Sequence, residues 1–177
     1  MKLKAILAAT AVAMGLSMTA GAANKHVAIT QIVEHPALDA CRNGVQDALA
    51  AEGFKVGENL KWSYESAQGN PATAAQVAKQ FAGEEPDVIV AISTPSAQTV
   101  AASARHIPLV FTAVTDPLGA KLVKNMEKPG KLITGITDLS PIDKHVDLVK
   151  QVVPAAKRLG VIFNPGEANS VTLVSML

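Results

Sequence analysis

The stretch Pro86–Asp116 constrains this chain more than any other, because it reads as strand, turn, helix, strand and turn in only 31 residues. Asp87-Val-Ile-Val-Ala-Ile92 is an unbroken apolar run rich in β-branched residues, with Pro86 in front and Ser93-Thr-Pro-Ser96 behind. A short run without polar alternation suits a strand covered on both faces, as in the middle of a parallel sheet. Thr94-Pro95-Ser96-Ala97 has the chemistry of a helix start, with a hydroxyl at the cap and Pro at the first helical position. The predicted helix Pro95–Arg105 leads to Ile107-Pro108, and Leu109-Val-Phe-Thr-Ala-Val114 forms the next buried strand, ending in Thr115-Asp116-Pro117. Two neighbouring parallel strands then deliver hydroxyls, a carboxylate and free helix N–H groups to one sheet edge. In open α/β sheets that carboxyl edge is where ligands bind.

The same alternation of strand and helix patterns runs along the rest of the chain, which points to an α/β fold with an open parallel sheet flanked by helices. The predicted strands are His26–Val33, Leu60–Ala67, Asp87–Ile92, Leu109–Val114, Ile133–Thr137 and Arg158–Phe163. Of these, Leu60–Ala67 alternates polar and apolar residues, as an outer strand with one wetter face would. Predicted helices cover Pro36–Glu52, a segment starting at Asn70-Pro71, a short piece around Lys121–Met126, Ile142–Val153, and a last helix capped by Asn169-Ser170. That last helix would carry Val171, Leu173, Val174, Met176 and Leu177 with almost no polar face. An apolar stub of this kind needs a cover, so the chain reads as cut short.

The beginning is a different kind of segment. Met1-Lys-Leu-Lys4 is a basic n-region, Ala5–Leu16 an apolar h-region and Ala20-Gly21-Ala22 a small-residue cleavage site, the pattern of a cleavable secretory signal over residues 1–22. The apolar part falls short of the ~20 residues a bilayer span needs. The expected location is therefore periplasmic or secreted. Loss of Lys2 and Lys4 takes the basic residues from 16 to 14 against 15 acidic ones, a net charge of −1. Such a balance offers no electrostatic pull toward nucleic acid. The single Cys41 cannot form an internal disulfide, and its place among the apolar positions of the first helix predicts a buried, inert thiol.

There is no dinucleotide glycine fingerprint, P-loop, metalloprotease helix or Gly-x-Ser-x-Gly elbow, so no cofactor is indicated. The histidines at 26, 35, 106 and 145 lack metal-ligand spacing and read as surface or loop residues. The polar strand ends instead suit a small zwitterion. Backbone N–H groups of Ser96 and Ala97, with the hydroxyls of Thr94 and Ser96, would hold a carboxylate, and Asp116 could balance an ammonium group. Plain helix capping by Thr94, Ser96 and Asp116 accounts for part of the same signal. Glu34 and His35 end the first strand at the same edge and either face a ligand or stay solvated in the loop.

Four segments together resemble a known family. They are Val27-Ala-Ile-Thr-Gln-Ile-Val-Glu-His-Pro-Ala-Leu-Asp39, Asp87-Val-Ile-Val-Ala-Ile-Ser-Thr-Pro-Ser-Ala-Gln98, Phe111-Thr-Ala-Val-Thr-Asp-Pro117 and Gly160-Val-Ile-Phe-Asn-Pro-Gly-Glu-Ala-Asn-Ser170. Each is similar to its counterpart in the substrate-binding proteins of ABC transporters of the tryptophan/tyrosine type, and the likeness runs from His26 to Ser170. It implies a periplasmic-binding-protein-like lobe over residues 23–137, a crossover at 138–141 and a second lobe only begun at 142–177. It further implies a non-enzymatic protein that clamps an amino acid or similar small solute between two lobes and hands it to a membrane permease. The residues expected to touch solute are Glu34, Thr94, Ser96, Ala97, Thr115 and Asp116 from the first lobe. Asn164, Glu167, Asn169 and Ser170 would face the cleft from the second. Two alternatives stay open from sequence: a small exported α/β enzyme using Glu34, His35 and Asp116, and a truncated product without a biochemical role.

Overall fold

The computed structural model describes residues 24–177, so the predicted signal segment lies outside the described residues. Five strands form one sheet: β1 (Lys25–Gln31), β2 (Leu60–Ser66), β3 (Val88–Ile92), β4 (Leu109–Val114) and β5 (Ile133–Thr137). Their spatial order is β2-β1-β3-β4-β5 and every pairing is parallel. The alternating strand β2 is indeed at an edge, and the apolar runs β1 and β3 are inside. The helices are α1 (Pro36–Ala51), α2 (Pro71–Glu84), α3 (Thr94–Ser103), α4 (Ile142–Val152) and α5 (Ala168–Ser175).

Two apolar clusters cover the two faces of the sheet. On one face Ala28, Ile89, Ala91, Leu109 and Phe111 pack with Val77 and Phe81 of α2 and with Ala97 and Val100 of α3. On the other, Val27, Ile29, Leu60, Val90 and Ile92 meet Leu38, Cys41, Val45 and Leu49 of α1. The apolar stripe of α1 is only half covered, so Cys41 is half-buried rather than buried. The helix starts carry their own chemistry. Asn70 accepts from the N–H groups of Ala72 and Thr73 at 2.8 and 3.3 Å, and His35 Nδ1 accepts from Ala37 at 3.2 Å.

Three sequence expectations are corrected. The segment Lys121–Met126 is a chain of turns, because Lys121 takes φ +59° and Leu122 and Val123 both donate back to the Pro117 carbonyl. Arg158–Phe163 is not a buried strand: no strand pairs with it among the described residues, and Leu159, Val161, Ile162 and Phe163 are all exposed. A both-faces-apolar strand needs neighbours on each side to bury it. Last, His26, at the predicted start of the first strand, does not lie open at the surface, since its side chain is largely covered. It sits in β1 with Nε2 2.9 Å from Ser63 Oγ and 3.6 Å from Glu84 Oε2.

That amino edge of the sheet sets a pH dependence. The His26 N–H donates to Asp87 Oδ2 at 2.7 Å and Lys25 Nζ to Oδ1 at 2.9 Å, which together hold the Asp87 carboxyl below its ordinary range. Hydrogen bonds from Gln80 and Ser63 lower Glu84 similarly. Burial, followed by the Lys61 charge, lowers His26. In each case the unfolded chain binds the proton more readily, so stability is lost as pH falls. Denaturant titrations should show stability declining from pH 7, first as unfolded histidine protonates, then again below about pH 4 as carboxylates do. In Asp87→Asn the second decline should be shallower; an unchanged profile would mean that this edge does not set acid stability.

A close approach ties down the far side. Gly135 of β5 lies opposite Phe111, and a Cβ there would collide with the Phe111 carbonyl and ring. Gly44, in the middle of α1, has open space around the same position. Gly135→Ala should therefore cost about 1–3 kcal/mol of stability through overpacking. Gly44→Ala should gain about 0.5–1 kcal/mol by removing helix-interior glycine entropy. Chemical denaturation of both variants checks the pair, and equal effects would contradict the β4–β5 contact.

Candidate functional site

Because β1, β3 and β4 run parallel side by side, their carboxyl ends open onto one edge of the sheet. The chain leaves β3 through Ser93, which takes φ +90° and ψ 157° and stands as the N-cap of α3. Its N–H donates to the Thr112 carbonyl of β4 at 2.9 Å. On β4 itself, the register shifts between Phe111 and Val114, and Ala113 takes φ +51°. Two non-glycine residues with left-handed backbone, on neighbouring strands at one edge, store strain of order 1–3 kcal/mol each. Bulges beside sites serve to re-aim side chains.

The α3 start differs in detail from the sequence reading. The cap position belongs to Ser93, not Thr94, and Ser93 makes no side-chain capping bond; its hydroxyl lies 3.5 Å from Ser96 Oγ. Thr94 and Ser96 are almost fully buried. The Ala97 N–H, expected to face a carboxylate, already donates to the Ser93 carbonyl at 3.0 Å. The N–H groups of Thr94 and Ser96 have no acceptor among the described residues, and they are the donors an anion at this helix start would meet.

Asp116 follows β4 in a turn. Its Oδ1 accepts from the Gly119 N–H at 2.8 Å, and a Cβ at Gly119 would run into the carboxylate. Its Oδ2 accepts from the Thr172 hydroxyl of α5 at 3.3 Å. The carboxylate thus caps a turn rather than a helix and also joins the last helix to the sheet edge. Thr115 lends its carbonyl to the Thr137 hydroxyl at 2.8 Å, so it braces β4 against the end of β5.

On the far segment, Glu167 gathers its neighbours, with Asn164 Nδ2 at 2.9 Å and Asn169 Nδ2 at 3.4 Å. Asn169 and Thr172 stand three residues apart on α5, hence on one helix face. Ser170 instead lines a cavity of about 310 Å³ with Ile142, Phe163 and Leu173. Glu34 is exposed in the β1–α1 loop and makes no hydrogen bond or ion pair among the described residues. His35 beside it is occupied in capping α1. No three His, Cys, Asp or Glu side chains gather for a metal among the described residues.

Sequence reasoning missed Thr30, Gln31 and Thr172. Polar residues ending the otherwise apolar run of β1 were the available signal for the first two, and the i+3 spacing from Asn169 for the third. Thr30 Oγ1, Gln31 Oε1, Thr94 Oγ1 and Asn169 Oδ1 are all buried without a protein partner, as is Tyr64 OH. Leaving such an atom unpaired costs about 1–3 kcal/mol each. Two are at the end of β1 and one at the start of the helix that follows its neighbour β3. A fold retains such a concentration of unpaired acceptors where something else supplies the donors.

Comparison with known proteins identifies the family. Residues 26–177 match the family described as ABC transporter substrate binding protein. The tyrosine-binding protein of Clostridioides difficile (strain R20291) is 44% identical over 153 residues, covering 86% of this chain and 44% of that protein. The crystal structure of a conserved domain protein from Vibrio cholerae superposes with a TM-score of 0.84 at 56% identity, over 86% of this chain and 52% of that one. A Streptococcus pneumonia domain in complex with L-Trp gives 0.82 at 36% identity, over 87% and 52%. The chain spans about half the length of these relatives. With a match over nearly all of its described residues, the chain belongs to the ABC transporter substrate binding protein family.

Proposed function

We propose that this chain contributes to the extracytoplasmic solute-binding component of an ABC importer, and that its solute is an aromatic amino acid. The observation that carries this reading is the carboxyl edge itself. There, buried oxygens without protein partners, two unused helix N–H groups and a carboxylate sit on adjoining strands and loops. An α-amino acid supplies the complementary set: an anionic carboxylate for the start of α3 and an ammonium group for acceptor oxygens. The relatives that bind tyrosine and L-Trp support the choice of side chain. The Thr172–Asp116 bond gives the second segment a direct hold on the site, which suits closure of one lobe on another. The released solute then passes to a membrane permease, the partner that family membership implies.

Glu34, Thr94, Ser96, Thr115, Asp116, Asn164, Glu167 and Asn169 remain the proposed surroundings of the solute. Ala97, its N–H spent on the Ser93 carbonyl and its methyl in the core, supports the start of α3 from behind, and Ser170 acts from the apolar cavity beside α5. The functional division follows the sequence reading, with a lobe over 23–137, a crossover at 138–141 and the start of a second lobe at 142–177.

Calorimetric titration with L-tyrosine and L-tryptophan tests this. Asp116→Ala should weaken binding by about 2–5 kcal/mol, since an ammonium in a partly buried site loses its charge partner. Asp138→Ala, in the exposed crossover, should change binding by less than about 0.5 kcal/mol. Equal losses would reassign Asp116 to holding its turn alone.

A further inference from the structure

Gln31 ends β1 with its side chain completely buried, in register with Ser66 on one side and Ile92 on the other. Its Nε2 donates to Asp39 Oδ1 at 2.8 Å and to the Val33 carbonyl at 3.1 Å. A carboxylate and a carbonyl can only accept, so the amide has one tolerable orientation; turning it over would set oxygen against oxygen twice. The same Asp39 oxygen takes a second donor. Arg42 Nη1 pairs with Asp39 Oδ1 at 3.2 Å, and the Arg42 guanidinium lies 4.4 Å from the centre of the Tyr64 ring on β2. The outcome is a buried carbonyl oxygen, Gln31 Oε1, held in place with no donor of its own. Thr30 Oγ1, near the end of β1, and Thr94 Oγ1, at the start of α3, share that condition.

We infer that Gln31 is a solute-orienting residue, whose carbonyl oxygen accepts an N–H of the solute's α-ammonium group, and that Asp39 is the positioning residue that locks the amide. This rests on the amino-acid reading above and adds to it two residues outside the proposed surroundings of the solute. An amide locked nitrogen-inward offers the solute an acceptor only. The site then favours a protonated amine and rejects a compound that brings no donor. Asp39 shares its Oδ1 between Gln31 and Arg42, and it acts on the solute by holding Gln31.

The test pairs L-tyrosine with 3-(4-hydroxyphenyl)propionate, which keeps ring and carboxylate but lacks the ammonium, in ligand-observed NMR titrations. Asp39→Asn places an amide where the carboxylate was and lets Gln31 turn over; Gln31→Met removes the acceptor. Both should weaken L-tyrosine about tenfold and leave the deaminated analogue within about twofold. Asp47→Asn, an exposed charge on the same helix, should change neither. Equal loss for both compounds, or no loss, overturns the inference while leaving the amino-acid reading intact. Failure of the unaltered protein to bind L-tyrosine overturns both together. A check independent of solute is the Gln31 side-chain amide signal. It should exchange slowly with water in the unaltered protein and rapidly in Asp39→Asn; rapid exchange in both would show that no lock exists.

Discussion

Everything at the candidate site follows from one constraint, the parallel direction of the strands. In an antiparallel sheet the ends of β1, β3 and β4 would be divided between two edges. Here the crossover helices force all of them to one side, and the loops that follow share that side. Apolar residues on both faces of β1 and β3 then fix the register, because a slip of one residue would exchange the cluster against α1 for the cluster against α2 and α3. The position of Gln31 next to Ile92, and of Ser93 next to Thr112, is therefore set by burial far from the site.

The two ends of the sheet treat polar groups in opposite ways. At the amino edge, Lys25, His26, Ser63, Glu84 and Asp87 satisfy one another, and the network adds stability near neutral pH. At the carboxyl edge, oxygens are buried and left without partners, and Ser93 and Ala113 hold strained backbone. A protein selected only for stability would gain by satisfying or removing these groups. Their concentration at one edge supports the proposed site, where a solute would supply the donors.

Most of the architecture was legible in sequence because burial writes itself into composition. The runs Val88–Ile92 and Leu109–Val114 were read almost to the residue, and the alternation of Leu60-Lys-Trp-Ser-Tyr64 marked β2 as an edge strand. The misreadings have local causes. Leu122 and Val123 are buried in the core by turns from Pro117, so apolar character there reported burial without helix. Arg158–Phe163 has the composition of a central strand, but composition cannot supply the neighbours that would make it one. At the site, hydroxyls and Asp116 were visible as loop chemistry. The use of the Ala97 N–H by Ser93, the lock on Gln31 and the reach of Thr172 depend on register and helix placement, which no local pattern encodes.

The central claim is that the start of α3 and the turn after β4 hold the solute's charged head. Hydrogen–deuterium exchange with and without saturating L-tyrosine addresses it directly. The account predicts slowed exchange at the Thr94 and Ser96 amides and in residues 114–119, with no change around residues 55–63 at the amino edge. Protection confined to the amino edge, or absent from residues 93–97 while tyrosine is bound, would contradict it.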